Sequence, residues 1–112
     1  YLNEAGFQHF GLVLNVVNGK AFVVPMTSNP ETYAQAYDEK TNVHGKQHLM
    51  RIGRIKGLYR ESVLFLNDCK YINTARIIDV KARIPKESLL FEKITPKIHF
   101  ILFLFLYLTA YS

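Results

Sequence analysis

The sequence holds a single cysteine, Cys69. One thiol cannot build an intrachain disulfide framework, and it cannot supply the paired thiolates of a zinc knuckle. A reducing, cytoplasmic setting is therefore expected. A leader pattern is also lacking, because residues 1–8 carry neither a basic start nor an apolar stretch of signal-peptide length. No Met precedes Tyr1, so a truncated N-terminus is expected. Internal repeats and low-complexity linkers are missing as well, which leaves 112 residues for one domain with one core. That domain is expected over residues 1–97, with residues 98–112 as an apolar tail.

Half of the residues are apolar (49%) and 21% are charged, a composition that packs into a globule and argues against disorder. The net charge of +5 is concentrated. Lys40, Lys46, Arg51, Arg54, Lys56 and Arg60 follow one another with no acid before Glu61. Such a cluster attracts phosphate backbones without reading sequence, which suits nucleic acid or an anionic membrane. A solvated basic face is the plainer alternative.

Two apolar, partly β-branched runs flank Asn18-Gly19, and both of these residues tolerate the positive φ of a two-residue hairpin turn. A hairpin over residues 10–24 is expected, with Pro25 ending the second strand or marking a bulge. Ser28-Asn29-Pro30-Glu31 combines a capping side chain, a proline near the first helical position and an acid three residues after Ser28, which predicts a short helix over residues 30–37. Residues 38–47 read as a loop. Further strands are expected at residues 48–56, with a bulge near Gly53, and at 61–66, 70–74 and 75–80. Pro85 and the spacing of Leu89, Leu90 and Ile94 predict a helix that Pro96 stops. The sum is a mainly β or α+β domain, a small, strongly bent sheet or barrel with a helix after the first hairpin and another near the C-terminus.

The tail, residues 98–111, is apolar apart from His99 and Thr109 and has no polar helical face. It is shorter than the roughly 20 residues a helix needs to cross a bilayer, and no basic cluster comes after it, so a membrane role is disfavoured. A buried core or interface element and an out-of-frame end are the other readings.

Phe10-Gly11-Leu12-Val13-Leu14, the Asn18-Gly19 turn and Ala21-Phe22-Val23-Val24-Pro25-Met26-Thr27-Ser28 resemble the strand, turn, strand and "P-x-T-S" of the MazF/PemK and ToxN/AbiQ toxins. Gly57-Leu58-Tyr59-Arg60-Glu61-Ser62-Val63-Leu64-Phe65-Leu66, followed by Tyr71-Ile72-Asn73-Thr74-Ala75-Arg76-Ile77, resembles the MazF stretch "S-V-x-L … I-D-x-x-R-L". The two matches fall in the right order and span residues 10–79. The resemblance implies a CcdB/MazF/PemK-type fold, an SH3-like barrel with helices at its edge. It also implies endoribonuclease activity on single-stranded RNA without metal or cofactor, a cognate antitoxin of protein or RNA, and a homodimer or toxin–antitoxin assembly.

In that chemistry the ribose 2′-hydroxyl attacks the adjacent phosphate, which calls for a base, an acid and donors for the developing charge. Carried over by position, Thr27 and Ser28 bind or polarise the phosphate. Spacing alone allows a plainer role for them, Ser28 as helix cap and Thr27 as strand end. MazF proteins place "R-P" before the first strand, whereas this chain has His9-Phe10, so His9 is the candidate base. ToxN relatives carry a lysine near position 7, where this chain has Phe7. Lys20, Arg51, Arg54, Lys56 and Arg76 are the candidate RNA contacts; an ion pair of Arg76 with Asp79 or Glu61 is the structural alternative. Tyr33 and Tyr37 could stack on unpaired bases or pack on the barrel. His44 and His48 have ligand-like spacing, but Gly45 between them argues against a helix and no thiolate or acid flanks them, so no metal is expected. Cys69 is read as packed and not as a nucleophile.

Overall fold

The computed structural model describes residues 9–55, 58, 60–85, 87–94 and 105–111. It is a small, mainly β domain with an open mixed sheet and short helices. Strands β1 (His9–Val17) and β2 (Lys20–Thr27) form the expected hairpin. Asn18 and Gly19 have φ of 51° and 77°, the positive pair that turns two right-twisted strands back on each other. A bulge between Val13 and Asn15 inserts Leu14 as an extra residue, and Leu14 is fully buried.

Helix α1 (Pro30–Gln35) comes next, then β3 (Ala36–Tyr37), β4 (Lys46–Gly53), β5 (Ser62–Phe65), β6 (Lys70–Asn73), β7 (Ile77–Pro85), α2 (Leu89–Ile94) and β8 (Phe105–Tyr111). The sheet runs β3-β4-β5-β2-β1-β8-β7, with β6 also on β2. All pairings among these strands are antiparallel except β3 with β4.

Strand β2 changes partner along its length. Its first half, Lys20 to Val23, pairs with β6, and its end, Met26 and Thr27, pairs with β5. Pro25 neither ends the strand nor sits at a bulge, as its chemistry suggests it should; it stays in the strand opposite Gly11, two residues before the strand's end. It lies between the β6 and β5 ladders, where a residue with no amide hydrogen costs the sheet least. The main core gathers Leu12, Leu14, Val24, Met26, Met50, Ile52, Leu64, Ile84 and Leu108 of the strands with Phe91 and Ile94 of α2. Val13, Ala21, Val23, Ile72 and Tyr111 form a second cluster.

Several boundaries differ from the sequence reading. Asn29, and not Ser28, caps α1: its Oδ1 accepts the Glu31 amide at 2.8 Å. The helix ends at Gln35, because the chain at Ala36 turns extended to join β4. Pro85 ends β7 and does not begin a helix; Ser88 begins α2 by accepting the Phe91 amide at 3.1 Å. The bulge at Gly53 is present, with φ of 72°. Pro96, the expected stop of the second helix, lies outside the described residues.

The end of the chain is part of the sheet. Strand β8 lies between β1 and β7, and Leu108, Thr109, Ala110 and Tyr111 are all 1% exposed or less. Residues 105–111 are thus a strand of the sheet, and residues 108–111 belong to its buried part. No helix among the described residues is long and apolar enough to cross a membrane.

Candidate functional site

The end of β2 opens on a cavity of about 390 Å³ lined by Phe10, Met26, Thr27, Ser28, Leu58, Arg60, Ser62 and Lys81. Its residues come from five separate stretches of chain: β1, the end of β2 with Ser28 just beyond it, the segment at Leu58 and Arg60, β5, and β7. Antiparallel pairing of β5 with β2 sets Thr27 opposite Val63, which brings Arg60 and Ser62 beside the hydroxyl pair. The lining combines apolar side chains with three hydroxyls and two cations.

The hydroxyls are differently placed. Thr27 Oγ1 accepts the Asn29 amide at 3.2 Å, so its own proton remains to be donated. Ser28 is exposed, caps nothing and makes no side-chain hydrogen bond to the described residues. Ser62 is 2% exposed and its hydroxyl donates to the Arg60 carbonyl at 3.5 Å, a long bond. Of the cations, Arg60 is exposed and Lys81 pairs with Asp79 at 3.1 Å on the surface. Two donors and two positive charges around one cavity suit an anion the size of a phosphate.

A second cavity of about 380 Å³ adjoins the first, sharing Ser28 and Arg60, and is completed by Pro30, Tyr33, Arg54 and Glu61. The Tyr33 hydroxyl donates to Glu61 Oε2 at 2.7 Å. That bond to a carboxylate, with some burial, holds the Tyr33 phenol above its ordinary pKa. Arg51 braces the tyrosine from behind: its Nε donates to the Tyr33 carbonyl at 3.0 Å and its guanidinium lies 4.3 Å from the ring centroid.

The expected site residues divide. Thr27, Ser28 and Arg54 line this groove. His9 does not. It is exposed at the start of β1 and its ring sits 5.5 Å from that of Tyr111, which the sequence could not show because β8 is remote in the chain. Lys20 stands at the opposite end of β2, about 23 Å from Thr27 at roughly 3.3 Å per strand residue. Arg51 is engaged internally by Tyr33, Thr41 and Asp38. Lys56 lies outside the described residues. Arg76 is 6.0 Å from the Tyr111 ring centroid and does not line the groove. Tyr37 lies in β3, beside a different cavity. Cys69 is half-buried, donates to the Leu66 carbonyl at 3.4 Å, and has its thiol pKa raised by that burial.

Sequence reading missed Lys81, Glu61 and Ser62 as site residues. Arg60 and Glu61 close the basic run and Ser62 opens the "S-V-x-L" match, so a signal for them existed. Lys81 carries none, since only the packing of β7 against the rest of the sheet brings it there. Comparison of the chain with protein-family models, with characterised proteins and with solved structures returns no match.

Proposed function

We propose that the protein is an endoribonuclease toxin of the MazF/PemK and ToxN/AbiQ kind, cutting single-stranded RNA in the groove at Thr27 without a metal. The observation that carries the reading is the meeting of Thr27 and Ser28 with Arg60 and Lys81 at one cavity. As the 2′-oxygen bonds to phosphorus and gives its proton to water, the bond to the 5′-oxygen breaks and that oxygen takes a proton from water, leaving a 2′,3′-cyclic phosphate and a 5′-hydroxyl. Donors and cations held around the phosphate stabilise the charge that builds up, and fixed dipoles do this without reorganising. Thr27 supplies its free proton to a non-bridging oxygen, Ser28 a second, and Arg60 and Lys81 neutralise the anion. The resemblance of residues 10–28 and 57–77 to those toxins supports the same reading. An SH3-like barrel, a cytoplasmic site of action, a cognate antitoxin of protein or RNA, and a homodimer or toxin–antitoxin assembly belong to this proposal.

The test is incubation of the purified protein with single-stranded RNA in EDTA, followed by analysis of the new ends. Fragments ending in 2′,3′-cyclic phosphate, lost in Thr27→Ala, support the nuclease. A second reading, a non-catalytic module that holds RNA or a protein, is favoured by one observation: His9, the expected base, is not among the residues lining the groove, and its ring sits 5.5 Å from that of Tyr111. RNA binding with no cleavage selects that reading.

A further inference from the structure

Phosphate chemistry at Thr27 leaves the second cavity without a role. Glu61 lines it but does not line the first, so its carboxylate stands one subsite away from the bound phosphate. The carboxylate is also held in place: Tyr33 fixes Oε2, and Arg51 of β4 fixes Tyr33 through its carbonyl and its ring. Glu61 is exposed at this cavity, and a braced acceptor open to a ligand beside the proposed phosphate site is a device for choosing one.

We infer that this cavity is a nucleobase subsite that selects guanine in the nucleotide next to the phosphate held at Thr27, an inference that rests on the RNA-cleaving reading. An ionised carboxylate accepts hydrogen bonds and donates none, and its two oxygens present about four lone pairs. The Tyr33 hydroxyl uses one of them. Guanine alone carries two adjacent donors, N1–H and the N2 amine, on its pairing edge, spaced to meet both oxygens. Adenine and cytosine set one donor beside an acceptor, and uracil sets one donor between two acceptors, so each turns a lone pair toward the carboxylate. The pairing edge is open to such a contact in single-stranded RNA. Arg54 and Arg60 flank the pocket with exposed guanidinium groups, which stack on a base or hold the next phosphate.

The test uses the intact protein and uridine oligoribonucleotides carrying one internal guanosine, inosine or adenosine. Wild type is expected to cleave the guanosine oligomer about tenfold or more faster than the adenosine one, as a bidentate contact discriminates. Inosine, which lacks the N2 amine, falls between. Glu61→Gln puts a donor beside an acceptor, the complement of adenine, and is expected to shift the preference from guanosine toward adenosine. A change of preference cannot come from misfolding. The same oligomers are also titrated against Thr27→Ala by fluorescence anisotropy, so that base preference is read without cleavage. Equal handling of guanosine and adenosine by wild type overturns the inference. So does a Glu61→Gln protein that slows on every oligomer with its guanosine preference intact, which makes Glu61 a proton carrier instead. If no oligomer is cut, the nuclease reading fails, and guanosine preference in binding then decides the subsite alone.

Discussion

Basic side chains gather at two places on this domain, and they are used differently. In the groove, Arg60, Arg54 and Lys81 face cavities beside hydroxyl groups. At the other place, Lys70 and Arg76 lie 5.6 and 6.0 Å from the Tyr111 ring centroid, with His9 at 5.5 Å. Tyr111 is 1% exposed and its phenol is held above its ordinary pKa by burial, against the pull of Arg76. The first group lines open cavities; the second lies over an aromatic ring at the edge of a core. Net charge marks both alike, so a basic composition locates neither until it is known what each cation faces.

The largest effects should fall in the groove. On the proposed reaction, Thr27→Ala removes a donor to the charged transition state and is expected to cut kcat by about 100-fold or more, with the melting temperature nearly unchanged. Arg60→Ala is expected to weaken RNA binding across all sequences and to lower the slope of log affinity against log salt by about one. His9→Ala, by contrast, should leave the cleavage rate within about threefold, since an exposed side chain that does not line the groove gives up little transition-state stabilisation. A His9→Ala loss as large as that of Thr27→Ala would erase the distinction between the two places.

A change in stability, and not in chemistry, is expected between them, at Gly11. A Cβ there would collide with Val23 Cγ1 and come within 3.0 Å of Tyr111 Cε1 and 3.2 Å of the Val24 carbonyl oxygen. Gly11→Ala should therefore cost about 1–3 kcal/mol, measured by denaturant unfolding, because the side chains of Val23 and Tyr111 lie where the new methyl would go. Arg76→Ala and Lys70→Ala are expected to cost less, about 0.5–1 kcal/mol each, the usual size of an exposed cation–ring contact. Their RNA-cleavage rates should stay close to wild type.

The sequence discloses what is local. Asn18-Gly19 announces its hairpin because positive φ is demanded of two adjacent residues, and both have it. Gly53 announces its bulge for the same reason. The cap of α1 is displaced by one residue from the sequence reading because Ser28 and Asn29 are both good caps, and only the backbone decides between them. Strand β8 is hidden because its neighbours, β1 and β7, are distant in sequence and its apolar run carries no alternation to mark a strand. The groove is half visible for that reason too: Thr27 and Ser28 stand together in the chain, whereas Lys81 reaches them only through the sheet.

The smallest effect is a pH dependence that separates the two places through their tyrosines. Tyr33 in the groove and Tyr111 on the core edge both have folded pKa values above the ordinary 10.0 of a tyrosine, the first through its bond to Glu61 and the second through burial. A raised phenol pKa means that the folded state disfavours the phenolate. The stability each contributes is therefore complete below the ordinary value and is lost as pH rises through the folded one. Alkaline melts should show this loss in wild type. Tyr33→Phe removes one titration and the Glu61 bond with it, so its melting temperature should start lower and fall less steeply once the pH exceeds the ordinary tyrosine value. Tyr111 and Cys69, whose thiol burial also raises, ionise in both proteins, so the difference between the two slopes reports Tyr33; a slope equal to that of wild type would mean that Tyr33 ionises no differently when folded.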